Sequence, residues 1–151
     1  MVSGITREMA KALLREAGID LESAKTHLRE KRYHKAVLEA QQTAEKAMKA
    51  ALACEGVTQI AEHDPSAFFA SDIIVTAPEK WVKPLREMLH DLAWLMDQYY
   101  LARYPKVKAG RVVTPMDLYS EKDAKEAVDI AEKTLETVSE FLKETYLKED
   151  L

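Results

Sequence analysis

Between Tyr33 and Glu55 apolar side chains fall at Tyr33, Val37, Ala40, Ala44, Ala47 and Ala51, stepping 4-3-4-3-4. Those steps keep one stripe of a 3.6-residue helix facing one way, as the seam of a helical bundle requires. Met48 and Leu52 widen the stripe, and Gly56 stands where a helix ends in a left-handed residue. Much of the seam is alanine, so neighbouring helices can approach closely.

The same period recurs along the chain. Met9, Leu13, Ala17, Leu21, Ala24 and Leu28 line a segment from about Thr6 to Glu30. Gly18 interrupts it at a cost of about 1 kcal/mol relative to Ala, and is a candidate kink. Trp81, Leu85, Met88, Leu92, Leu95 and Tyr99 line a segment from Thr76 to about Leu101. Leu89, Ala93, Met96 and Tyr100 add a second stripe there, an arc wide enough to predict the central helix. Ala124, Val128, Ala131, Leu135, Val138 and Leu142 line the last segment, from Ser120 to about Lys148. Thr76-Ala-Pro-Glu79 and Ser120-Glu-Lys-Asp123 read as capping boxes. Asp64-Pro65 reads as an N-cap with proline at the first helical position. A short helix is expected after it, with an extended Ile73-Ile74-Val75 as the alternative. The expected fold is all-α: an up-and-down helical bundle of about five helices, four long and one short, in a single domain over residues 1–151.

Charge and cysteine content narrow the function. With a net charge of −4, the chain is not a polyanion binder by bulk charge, so any nucleic-acid site must be a local basic patch. One cysteine, Cys54, excludes an internal disulfide framework and a cysteine-based zinc site, and its place on an apolar helix predicts a buried structural thiol. The other candidate ligands have no metal spacing, and neither a metal nor an organic cofactor is expected. No apolar run approaches the ~20 residues that span a bilayer. Met1 to Gly18 is charged throughout, so no signal peptide is read there and a cytoplasmic location is expected.

Three groups of residues stand out. The connection 103–119 is expected to be a long basic loop between the fourth and fifth helices. It holds Arg103, Lys106, Lys108 and Arg111, with no acid before Asp117. With Tyr104 inside it and Tyr99 and Tyr100 just before it, it interleaves cations and aromatics, as a phosphate- and base-binding surface does. The plainer reading is a solvated crossover. The second group is Arg86, His90, Trp94, Asp97 and Leu101, which share the helix face opposite the core stripe. A Trp and a Leu facing outward fit a surface covered by a second copy of the chain. A chemical reading makes His90 a general acid or base oriented by Asp97; a structural histidine is the alternative. In the third group, Gln41 and Glu45 fall in or beside the apolar arc of the second helix, where a polar group needs a partner. The loop arginine or a tyrosine hydroxyl is a candidate partner. His27, His34 and His63 are scattered.

Taken together these residues resemble the HEPN family, helical domains of prokaryotes and higher eukaryotes that occur with nucleotide-binding partners. The likeness lies in Arg32-Tyr-His-Lys-Ala-Val-Leu-Glu-Ala-Gln-Gln-Thr-Ala-Glu-Lys-Ala-Met-Lys-Ala-Ala-Leu52, in Asp20-Leu-Glu-Ser-Ala24, in Arg103-Tyr-Pro105, and in Asp123-Ala-Lys-Glu-Ala127 with Ala131-Glu132. The resemblance implies a bundle that commonly dimerises, frequently pairs with a small nucleotidyltransferase, and in many members is a metal-independent ribonuclease, often a toxin. The family's signature is an arginine followed by a histidine four to six intervening residues later. Arg103 matches the arginine; Lys108, Ala109 and Gly110 stand where the histidine belongs. The resemblance therefore implies a homodimeric RNA- or nucleotide-binding module without the usual cleavage chemistry, using Arg103, Tyr104, Lys106, Lys108 and Arg111, supported by Gln41, Glu45, Tyr99 and Tyr100. An active endoribonuclease toxin with an unconventional base, and a pure protein-interaction module, are the alternatives.

Overall fold

The computed structural model describes residues 3–148. Four long helices carry the bundle: α1 (Gly4–Arg29), α2 (Tyr33–Cys54), α4 (Glu79–Met96) and α7 (Glu121–Thr145). Between them lie the short helices α3 (Ser66–Phe69), α5 (Gln98–Leu101) and α6 (Pro115–Leu118), and one hairpin, β1 (Lys106–Lys108) with β2 (Arg111–Val113). The fold is the all-α bundle expected from the periodicity, with the hairpin added.

α1 and α2 form an antiparallel pair because the link between them is a tight turn. Lys31 adopts φ 62° and the backbone N–H groups of Arg32 and Lys31 donate to the carbonyls of His27 and Leu28. This is a Schellman ending with lysine where glycine is favoured. α2 ends the same way at Gly56 (φ 84°), whose N–H donates to Ala53 while Val57 donates to Leu52. Gly18 does not kink α1, which runs through it unbroken. The N-terminal end of the α1 stripe is displaced: Ala10 is buried and Met9 is exposed.

The central helix is α2, not the segment after Thr76. α2 buries Ala36 and Ala50 as well as the seam of Val37, Ala40, Ala44, Ala47 and Ala51, so α1 and α7 pack on two of its faces. Small side chains on several faces decide this: alanine lets two partners close in at once. The arc of α4 is wide, but within α4 only Leu85, Met88, Leu92, Leu95 and Met96 are buried, while Ala93 and, beyond it, Tyr100 face solvent. Ion pairs brace the long helices: Lys46 to Asp20 at 2.7 Å and Lys25 to Glu132 at 3.0 Å.

The short helix expected after Asp64-Pro65 is present: α3 continues through a π turn over Ala70–Ile74, so Ile73 and Ile74 are helical rather than extended. The capping expected at Thr76 is corrected. Thr76 makes no capping box: its hydroxyl turns back to the carbonyls of Asp72 and Ile73, and α4 starts after Pro78. The 103–119 connection carries the hairpin and α6. Its strands pair Lys106 with Val113 and Lys108 with Arg111 around Ala109 (φ 51°) and Gly110 (φ 74°), the two left-handed residues of a tight hairpin turn. At Ser120 the capping box is complete: Ser120 Oγ accepts from the Asp123 N–H at 3.2 Å, and Asp123 Oδ2 accepts from the Ser120 N–H at 2.9 Å. Cys54 is buried, and burial pushes its thiol up to about 11, so it is unreactive.

Candidate nucleic-acid interface

The helical run expected to Leu101 breaks at Asp97, and the break builds the site. Gln98 is buried, and its side-chain Nε2 donates to the Trp94 carbonyl at 2.8 Å, the acceptor a continuing helix would give to the Gln98 backbone. Its Oε1 accepts from the Tyr119 hydroxyl at 2.8 Å. Burial pushes that hydroxyl up to about 12, so it stays a donor. α5 therefore leaves α4 as a separate turn, and its exit carries Tyr99, Tyr100 and Arg103.

Arg103 follows α5 and turns its side chain back onto it. Its guanidinium carbon sits 4.2 Å from the centroid of the Tyr99 ring, a cation–π contact. Its Nε is buried and has no hydrogen-bond partner among the described residues. A stacked guanidinium has lost its rotamer freedom before any ligand arrives, so less is lost per hydrogen bond it then forms.

The second ring on Tyr99 comes from the connection between α2 and α3. His63 stacks on Tyr99 with centroids 3.7 Å apart and planes 9° from parallel. Tyr100 meets both rings edge-on. Two planar groups this near one centroid would collide on one face, so Tyr99 is held between His63 and Arg103. Gln41 fixes the histidine's main chain: its Nε2 donates to the His63 carbonyl at 2.9 Å and to Glu45 Oε1 at 3.2 Å. Glu45 Oε1 lies 3.5 Å from His63 Nδ1, and Glu45 Oε2 takes the Lys49 ammonium at 2.9 Å. Gln41 is fully buried, and its Oε1 has no partner among the described residues.

Gln41, Glu45, Tyr99 and Tyr100 thus gather with Arg103 around His63. The partner of Gln41 is neither the arginine nor a tyrosine hydroxyl but His63 and Glu45. His63 is the residue that sequence reasoning missed. It lies forty positions before Arg103, with no local spacing to flag it, and only the path of the α2–α3 connection brings it in.

The hairpin gathers the remaining basic residues on one face. Register puts Lys106, Lys108, Arg111 and Val113 on one side and Val107 with Val112 on the other, all of them wholly or partly exposed. No hydrogen bond or ion pair ties the three cations to another described residue. Lys106 lines a hollow of about 170 Å³ with Trp94, Gln98, Leu101, Leu118, Tyr119 and Asp123. Tyr104 is 61% exposed. A concavity of about 420 Å³ between α4 and α7 is lined by Glu87, Asp91, Glu126 and Asp129 against Lys133, a sign of charge that repels phosphate.

On the outer face of α4 and α5, Arg86, His90 and Asp97 are exposed, Trp94 is 37% exposed and Leu101 is half-buried. No hydrogen bond joins His90 to Asp97, so the orientation the chemical reading needs is not made within this chain. No helix among the described residues is long and apolar enough to cross a membrane.

Comparison with known proteins decides the family. The model of the HEPN domain matches residues 10–142. The chain belongs to the HEPN family. The protein of Methanocaldococcus jannaschii named "Putative toxin MJ1304" is 32% identical to this HEPN chain over 145 residues, 95% of each. Among solved structures, ST0689, an archaeal HEPN homologue, superposes with a TM-score of 0.64 at 28% identity, covering 87% of this chain and 95% of its own. TT1696 from Thermus thermophilus gives 0.65 at 29% identity, covering 88% and 98%. Against the HEPN signature described above, Lys108, Ala109 and Gly110 make the end of β1 and the hairpin turn, so no imidazole stands after the arginine where the signature has one.

Proposed function

We propose that this HEPN protein is a homodimeric module that binds single-stranded RNA or a nucleotide at Arg103 and works beside a nucleotidyltransferase-type partner in the cytoplasm. The observation that carries the reading is the guanidinium fixed on Tyr99 with its buried Nε unpartnered. It is an oriented donor set waiting for an acceptor. The hairpin extends the positive surface through Lys106, Lys108 and Arg111, and exposed Tyr100 and Tyr104 offer rings for base stacking. The outer face of α4, with Arg86, His90, Trp94, Asp97 and Leu101, is the surface we assign to the second copy. The toxin name of the M. jannaschii relative fits a toxin–antitoxin-like pair.

The test is RNA binding as a function of salt. Each phosphate contact to a single strand contributes about 0.7 to the slope of log affinity against log salt. Arg103→Ala with Arg111→Ala is expected to reduce that slope by roughly 1.4 and weaken binding at every salt concentration. Absence of binding to any polynucleotide, with a tight complex to another protein, would instead favour the interaction-module reading. A second reading, metal-independent RNA cleavage, is favoured by one observation: an imidazole does reach Tyr99, though from another part of the chain.

A further inference from the structure

α4 and α7 run antiparallel: Trp81 Nε1 donates to Glu144 at 2.8 Å at one end, and Trp94 and Asp123 line one hollow at the other. The groove of about 420 Å³ between them is the size of a small-molecule site. Its floor is apolar, with Met88 buried and Ile130 half-buried. Its rim is acidic and largely unneutralised. Asp91, Glu126 and Asp129 are exposed and have no ion pair to a described residue, and Glu87 meets only the exposed Lys83, at 3.8 Å. Carboxylates alone would mark no more than a solvated helix face. Thr134 adds a separate observation. It lines the groove, it is only 2% exposed, and its hydroxyl makes no hydrogen bond to a described residue. A threonine inside a helix can turn its hydroxyl back to the carbonyl four residues earlier, as Thr43 does to Glu39 and Thr145 to Phe141. Thr134 leaves that bond unmade, on the same helix as Thr145. A buried polar group without a partner costs free energy until something entering the groove supplies one.

We propose that the groove between α4 and α7 binds a linear aliphatic polyamine. The rim calls for several separated cations, the floor for an apolar stem, and Thr134 for an N–H donor; a polyamine carries all three in one chain. A single divalent cation does not fit, because no three acidic, histidine or cysteine side chains among the described residues come together closely enough to hold a metal ion. The carboxylates are spread out instead: Glu87 and Asp91 lie four residues apart on α4, about 6 Å along its axis. The antiparallel pairing sets Asp91 across from Asp129 and Glu87 across from Lys133. One terminal ammonium lies among Asp91, Glu126 and Asp129, the methylenes cover Met88 and Ile130, and an inner amine donates to the Thr134 hydroxyl. Lys133 opposes a cation at the other end and limits the affinity. The site is independent of the RNA reading, since it takes cations where the hairpin would take phosphates.

The experiment is isothermal titration of spermidine into the full chain without RNA, at about 0.15 M salt, with magnesium chloride and a lysine-rich peptide titrated in parallel. The wild type is expected to bind spermidine saturably and magnesium not at all. Asp91→Asn together with Asp129→Asn is expected to weaken spermidine binding at least ~5-fold. Thr134→Val keeps the side chain's shape and is expected to weaken binding several-fold with the salt dependence unchanged, since it removes an acceptor and no charge. Lys133→Gln is expected to tighten binding about twofold, a gain that no loss of folding produces. Absence of saturable spermidine binding overturns the proposal, as does binding that magnesium matches at equal ionic strength or that all of these variants leave unchanged. Binding of the lysine-rich peptide without spermidine also overturns it, and makes the groove a docking site for a basic partner protein.

Discussion

At the residue scale, the site is built from side chains that fix one another before a ligand arrives. Tyr99 holds Arg103, His63 closes the other face, and Gln41 and Glu45 hold His63. The sequence pointed to Arg103, Gln41 and Glu45 because each breaks a pattern, a cation after an apolar helix or a polar group in an apolar arc, and to Tyr99 because it precedes the cations. His63 breaks none, lying in a segment with no periodicity to violate. A different histidine contributes to the response to acid. His34 is half-buried; its burial, then the charges of Lys35 and His27, hold its pKa below the ordinary imidazole value of 6.5. The unfolded chain therefore binds the proton more readily, and stability rises with pH across that window. The contribution is fully present above 6.5 and is lost as pH falls through the lowered value. Glu39, pushed up mainly by its burial, acts in the opposite sense: it stabilises when protonated and loses that contribution as pH rises. Urea unfolding at a series of pH values is expected to show a shallower loss of stability below 6.5 in His34→Gln than in the wild type. An unchanged pH slope would remove His34 from the account.

At the scale of elements, caps and breaks matter more than the helices themselves. The seam of α2 and the stripe of α7 were legible because a 3.6-residue period leaves a direct mark on sequence. The capping box at Ser120 was legible for the same kind of reason: it is a local hydrogen-bond pattern. Thr76 carried the same letters and made no cap, because its hydroxyl found the carbonyls of the π turn behind it. The hairpin leaves little mark on the sequence because Lys106 to Val113 is short, charged and has no buried face to alternate with. Its turn puts Ala109 in the left-handed region that Asn or Gly usually occupies. The break at Asp97 depends on Gln98 meeting Tyr119, a contact between distant residues. The α1–α2 turn gives the cleanest energetic test. Lys31 holds φ 62° in a Schellman ending, at a steric cost glycine does not bear. Lys31→Gly is expected to raise unfolding stability by about 0.5–1 kcal/mol in denaturant titration. A loss of that size would mean the lysine side chain contributes more than its backbone costs.

At the scale of the whole molecule, α2 is the axis on which α1 and α7 pack, and α4 is left with a free outer face. The sequence made α4 central because its apolar arc is wide. Width alone does not make a helix central: Ala93 and Tyr100, on the flank of that arc, are exposed. We assign the outer face with Arg86, His90, Trp94, Asp97 and Leu101 to the second copy. Trp94→Arg is expected to shift the protein from dimer to monomer in analytical ultracentrifugation with little change in helix content, since Trp94 is 37% exposed in the single chain. A wild type that sediments as a monomer at every concentration would remove the dimer from the account. The groove between α4 and α7 is acidic, which leaves the basic hairpin and the Tyr99 stack as the positive side.

The claim beneath all of this is that RNA meets the protein at the ring pile of His63, Tyr99 and Arg103. Titrating a short single-stranded RNA into isotope-labelled protein and following side-chain NMR signals tests it directly. The account predicts that the Arg103 Nε–H and the ring protons of Tyr99 and His63 shift first and farthest, with the hairpin following. Shifts confined to the α4–α7 groove, or to the face around Trp94, with those three side chains unmoved, would contradict it.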